Sequence, residues 1–185
     1  MINQTKKQQH YCDTLCLLYE IIAKFRRSGL ASVEQDICNP DADTSIFVRY
    51  PVLRENPRHL ELMLDMLRLM TDGNLNAEEL RYVFQDIAKR TFINDGGQDE
   101  ALWDSIFVTL YASICGYAPQ VAVEFGRQAV PYSSRPSFIE LETKCKELRD
   151  AAYAKRQGEI DPLCVGAKHS LEDRVDQLFA QMKAK

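Results

Sequence analysis

The chain has 185 residues, 45% of them hydrophobic and 27% charged, with a formal net charge of −4. That length is enough to bury a real core in one domain, with or without a tail, and the composition is that of an ordinary globular protein. The acidic balance excludes broad, non-specific binding to nucleic acid or to a lipid surface, because both need a basic face against phosphates. The longest apolar run, Ile106 to Ala118, falls short of the roughly 20 residues a bilayer span requires and predicts a buried helix. The polar start MINQTKKQQH lacks the apolar stretch of a secretory signal, which predicts a cytosolic chain.

In chain order, Leu15, Leu18, Ile22 and Phe25 recur at spacings of three and four, predicting a helix over Tyr11 to Ser28 that Gly29 stops. A shorter helical piece, Ser32 to Cys38, ends at Asn39-Pro40. The cluster from Pro40 to Ser45 is a loop, and Tyr50-Pro51 is a further break, since a residue before proline is pushed away from helix. From Pro57, the residues Leu60, Met63, Leu64, Leu67 and Met70 form the apolar side of a helix whose proline suits a first turn. Asp65 and Arg68 lie among the charges on its other side. Asn76 with Glu79 resembles a capping box, followed by an apolar face of Leu80, Val83, Phe84 and Ile87.

The stretch NDGGQ, residues 94–98, is the clearest internal break. After it the pattern predicts helices over Asp99 to Cys115 and Pro119 to Ala129, a turn at PYSSRP, and a helix from about Pro136 to Ala154. Val121, Val123, Phe125 and Ala129 are expected core, with Glu124, Arg127, Glu140 and Glu142 forming an internal polar network. Residues 155–168 read as a linker before a tail helix in which Leu171, Val175, Leu178 and Met182 repeat at spacings of four, three and four. No recurrent alternation marks a strand, so the fold class is all-α.

Candidate chemistry is sparse. Six cysteines (Cys12, Cys16, Cys38, Cys115, Cys145, Cys164) without an export signal predict reduced thiols. Cys12 and Cys16 with His10 lack the second ligand pair of a zinc site, and Cys164 with His169 is weaker still. His59 sits among charges at a helix start and is expected at the surface. No base stands near a nucleophile, and Gly96-Gly97 lacks the lysine and hydroxyl of a phosphate loop. The residues predict no enzyme, no metal and no cofactor.

The stretch Tyr117 to Glu142, YAPQVAVEFGRQAVPYSSRPSFIELE, is specific in kind although it carries no chemistry. With Arg27 to Glu34, Asn39-Pro40, Tyr50-Pro51 and Leu67 to Asn76, it resembles the cytoplasmic part of the MotA family, the channel and torque-generating stator subunits of the bacterial flagellar motor. The resemblance implies that residues 10–93 are a first cytoplasmic segment and 99–154 a second. Residues 94–98 would then stand in for a membrane hairpin, with 155–185 outside the likeness. It further implies that ion conduction and the MotB-type partner belong to the membrane spans of a full-length parent, which this chain lacks. What carries over is contact with the rotor protein FliG. In the family an arginine and a glutamate eight residues apart flank an exposed helix end, and the matching residues here are Arg26 and Glu34, with Arg27 beside the first. The family's acidic run before its third span is reduced to Asp86. Loss of two pairs of spans points to an engineered fragment ahead of a natural spanless paralogue. A freestanding cytosolic binding protein that reuses the fold is the alternative. The isolated chain is expected to be a monomer, or a weak dimer through its tail.

Overall fold

The computed structural model describes residues 2–73, 76–94, 96 and 99–157, which divide into two compact units, Met1–Cys145 and Lys146–Lys185. The expected tail helix with Leu171, Val175, Leu178 and Met182 lies outside the described residues, as do residues 95, 97 and 98 of the linker. The described residues contain helices and turns and no strand.

Helix α1 (Ile2–Ser28) is the central element of the first unit. Its pattern predicts one apolar stripe, yet Tyr11, Cys12, Thr14 through Tyr19, Ile21 and Ile22 are all buried. A helix covered on all sides is what a central position requires. It also begins at Ile2, nine residues ahead of the expected Tyr11, because its polar first turns have ion partners: Lys6 with Glu55 at 3.7 Å and Lys7 with Asp99 at 3.4 Å.

Gly29, at φ 83°, takes the left-handed turn that a side chain would resist, and a 3-10 turn (Leu30–Val33) leads into the short α2 (Glu34–Cys38). Two further 3-10 turns, Ile46–Arg49 and Pro51–Leu53, follow the predicted loop on either side of the Tyr50-Pro51 break and bury Ile46, Phe47, Val52 and Leu53. Helix α3 (Pro57–Asp72) starts on its proline and buries Met63, Leu64, Met66, Leu67 and Met70, with Asp65 and Arg68 paired on its outer side at 2.6 Å.

A continuous helical rod follows, from α4 (Ala77–Arg81) through a π-helical segment (Tyr82–Ala88) to α5 (Lys89–Asn94). Asn76 caps it by accepting from the amide of Glu78 at 3.0 Å. In the π segment the Lys89 amide donates to Phe84 O, five residues back. This overturns half of the predicted face, at Val83 and Ile87, while Leu80 and Phe84 are buried as expected. An α-helix turns about 100° per residue, so inward positions should recur at threes and fours. The wider π turn keeps Leu80, Phe84 and Phe92 inward at multiples of four instead, and leaves Val83 and Ile87 exposed.

Helix α6 (Glu100–Ile114) contributes Leu102, Trp103, Ile106, Phe107 and Leu110 to the core. Its cap is Asp99, whose side chain accepts from the Leu102 amide while its backbone sits in the left-handed region at φ 57°. Helix α7 (Pro119–Ala129) packs between α6 and α1. The helices press together at Gly126, where a Cβ would stand 1.9 Å from Thr109 Oγ1, 2.8 Å from Ser105 O and 2.9 Å from Leu15 Cδ2. Val121 and Phe125, expected in the core, are 41% and 39% exposed; the inward positions are Ala122, Val123, Gly126 and Arg127. Residues 138–157 are helical, with Ser137 Oγ accepting from the Glu140 amide at 3.1 Å as a cap. Arg149 meets Asp150 at 3.3 Å within the second unit.

The expected polar network forms in part. Arg127 is held by Glu124 and donates to Pro136 O at 3.1 Å, while Glu140 instead accepts from Gln8 at 3.3 Å, and Glu142 is exposed.

Candidate functional site

Arg26 and Arg27 lie in the last turn of α1, and Glu34 opens α2. The chain between them is firmly set. Gly29 N donates to Phe25 O at 2.8 Å, and Ser32 Oγ donates to Gly29 O at 2.7 Å, so the end of α1 is closed by its own turn. Below it, Val33 and Ile37 are buried, and the carboxylate of Asp36 is buried with them. Asp36 pairs with Lys24 of α1 and accepts from the Ile46 amide at 3.0 Å, tying three segments together beneath Glu34. Glu20 and Arg49 form a second ion pair near the same end, where burial pushes the Glu20 carboxyl upward against the pull of Arg49.

The three predicted site residues are exposed and differ in their ties. Arg26 donates through one terminal nitrogen to Ser113 O at 3.0 Å and Tyr117 O at 3.1 Å, satisfying carbonyls at the end of α6. Arg27 and Glu34 make no hydrogen bond or ion pair among the described residues, and the Arg27 charge reaches Glu20 only through space. The structure therefore presents an exposed cation and an exposed anion, neither in a hydrogen bond or close ion pair among the described residues, on a hydrogen-bonded turn that Arg26 fastens to α6.

His59 is the clearest correction. It is 3% exposed, its ring meets Phe92 edge-on at 4.8 Å, and its Nε2 lies 3.0 Å from Asp99 O. A carbonyl can only accept, so Nε2 carries a proton and donates it to Asp99 O. Asp99 Oδ1 in turn accepts from the Tyr11 hydroxyl at 2.7 Å. Burial lowers the His59 pKa below its ordinary 6.5. Protonation therefore favours the unfolded chain, and the contribution is complete above the unfolded value and lost as pH falls through the lower folded value. We expect urea unfolding midpoints to drop between pH 7.5 and 5.5, and to drop less in His59→Gln, whose amide can still donate to Asp99 O. An equal drop in both proteins would clear His59 of the effect.

Cys12 and Cys16 are 0% and 3% exposed, out of reach of a substrate. A hydrogen bond with Cys16, aided by Lys144, lowers the Cys12 thiol, while burial pushes Cys145 up to about 12. Among the described residues no three His, Cys, Asp or Glu side chains gather to hold a metal. A shallow cleft beside the start of α1 is crossed by Lys6–Glu55 and His10–Glu55 contacts, so its charges answer one another. No helix among the described residues is long and apolar enough to cross a membrane.

Fold and site together define a domain that is all-helical among the described residues and displays charge at a hydrogen-bonded helix end. Compared with known proteins, the chain is similar to motility protein A of Salmonella typhimurium (strain LT2), 25% identical over 212 aligned positions, which take in 76% of this chain and 72% of the relative. It is 24% identical over the same extent to motility protein A of Escherichia coli K12. It is also 30% identical over 76 residues to chemotaxis protein LafT of Vibrio parahaemolyticus, covering 41% of this chain and 26% of that one. No family model matches, and no solved structure matches. The similarity is a remote homology to motility protein A. The aligned share of this chain is about 140 residues against 212 positions, so about 70 positions of each motility protein A face gaps here.

Proposed function

We propose that this chain is the cytoplasmic, rotor-facing region of a MotA-type flagellar stator. Its segments 10–93 and 99–154 are brought together over residues 94–98 in place of a membrane hairpin. In a full-length parent, ion flow through the spans and a MotB-type partner would drive the motion that this region passes to FliG. The observation that carries the reading is the exposed pair Arg27 and Glu34, outside any hydrogen bond or close ion pair of the described residues at a braced turn, in a chain similar to motility protein A. The gapped positions of the alignment suit the absence of a hairpin.

The physics suits a moving contact. Exposed ion pairs are worth about 0–1 kcal/mol each, and complementary charge speeds encounter and sets register without a long dwell. Titration of the purified chain with purified FliG tests the reading. Arg27→Glu with Glu34→Lys is expected to weaken binding about tenfold at low salt, with an unchanged melting temperature. Equal binding by wild type and the double reversal would remove both residues from the contact.

A further inference from the structure

We infer that Arg49 is a positioning residue for the charged turn: it occupies the buried carboxylate of Glu20 and so keeps Arg27 exposed to meet an acid of a partner. The binding half of this inference rests on the rotor-contact reading above, while the placement of Arg27 is a property of the chain alone. Glu20 and Arg27 are seven residues apart on α1, which puts them two turns apart on one face. The Cα–Cβ bonds of a helix tilt toward its N-terminus, so Arg27 starts out in the direction of Glu20. Burial raises the Glu20 carboxyl most, and the Arg27 charge is among those that pull it back down. With its side chain only 12% exposed, Glu20 draws a cation strongly, because a buried carboxylate is costly unless paired.

Arg49 is the cation that answers it. Its Nη1 donates to Glu20 Oε1 at 2.9 Å and its Nη2 stands in ion-pair contact with Oε2, so one guanidinium spans both oxygens. Arg49 closes the 3-10 turn Ile46–Arg49, in which Ile46 and Phe47 are buried and the Ile46 amide donates to Asp36. A packed segment therefore brings this guanidinium to α1.

The neighbouring acid, Asp36, is met in the same way by Lys24. The two buried acids beside this face of α1 thus have one cation each, and Arg27 is the cation left over. Without Arg49, Arg27 is the group on the same face that can replace it. Folding back onto Glu20 would withdraw its charge from solvent and from any partner. The site in this view is built from a pair of guanidiniums with separate tasks: Arg49 neutralises the interior acid, and Arg27 meets a carboxylate from outside.

Phenylglyoxal labelling of the chain alone, read residue by residue by mass spectrometry with Arg26 as the internal reference, tests the placement. In Arg49→Met the labelling of Arg27 is expected to fall about fivefold, the upper reach of one ion pair near a surface. Adding Glu20→Gln to Arg49→Met should restore it, because no acid is left to capture Arg27. Arg49→Lys, which keeps a cation over Glu20 and so protects the fold, should give a smaller fall. No fall in either Arg49 variant overturns the inference. The same proteins then enter the FliG titration, where Arg49→Met should bind about fivefold more weakly and the double variant as well as wild type. If the double variant stays weak, Arg49 touches the partner itself and its positioning role is overturned. If wild type does not bind FliG, the rotor-contact reading fails, and the labelling still decides whether Arg49 holds Arg27 outward.

Discussion

Replacing Gly126 by alanine is expected to destabilise the first unit by about 2 kcal/mol or more, despite the roughly 1 kcal/mol that alanine gains over glycine within a helix. The new Cβ would lie 1.9 Å from Thr109 Oγ1, 2.8 Å from Ser105 O and 2.9 Å from Leu15 Cδ2. The hydroxyl could rotate away, but a backbone carbonyl of α6 and a core leucine of α1 could not both yield without moving α7. For a domain of this size each kcal/mol shifts the melting temperature by about 2–4 °C. A fall of about 4–8 °C in a calorimetric scan is the expected reading. Thr109→Ala should restore only part of it, since the contacts with Ser105 O and Leu15 remain. A melting temperature equal to the wild type would mean that α6 and α7 are not pressed together at this point.

The second large effect falls on Asp36. Its carboxylate is buried, pairs with Lys24 and receives the Ile46 amide. Removing it in Asp36→Ala strands a lysine and a buried backbone donor at once. Breaking a buried pair by removing one partner costs about 3–5 kcal/mol, and an unsatisfied donor about 1–3. Because the Lys24 side chain is 31% exposed and can turn to water, we expect a loss of about 2–4 kcal/mol in urea unfolding. Asp36→Asn, which can still accept from Ile46, should lose less. The two variants separate the ion pair from the amide contact, and equal losses would assign the effect to the charge alone.

The helices with strong periodicity were legible in the sequence: α3, α6 and α7 lie close to their expected spans, and their prolines and Asp99 begin them as read. What escaped was the identity of polar groups on apolar faces. Asp36 is three residues past Val33 and next to Ile37, and His59 is four before Met63, so both occupy inward helical positions. The charged surroundings of His59 suggested solvent, and only the distant partners of the two residues, Lys24 and Asp99, explain why burial is tolerated. Val83 and Ile87 failed for a different reason, since a π segment changes the helical period and nothing in its composition announces that. Val121 and Phe125 read as core because the residue types are apolar, yet the small pair Ala122 and Gly126 lets α7 approach its neighbours and takes the inward side. Of the candidate site, the exposure of Arg26, Arg27 and Glu34 was legible. The division between Arg26, fastened by hydrogen bonds, and Arg27, which has none among the described residues, was not, because it depends on carbonyls 87 and 91 residues away.

His59 grips the chain on both sides of the internal break, with its ring against Phe92 of α5 and its Nε2–H on Asp99 O at the start of α6. The end of α5 and the start of α6 are thus registered by α3 and α1, independently of the peptide that connects them. Lengthening a flexible connector costs only about 0.6 kcal/mol for each doubling. The fold has in effect a doorway at this point. Polypeptide of almost any length could leave and re-enter there while the helices on either side keep their places.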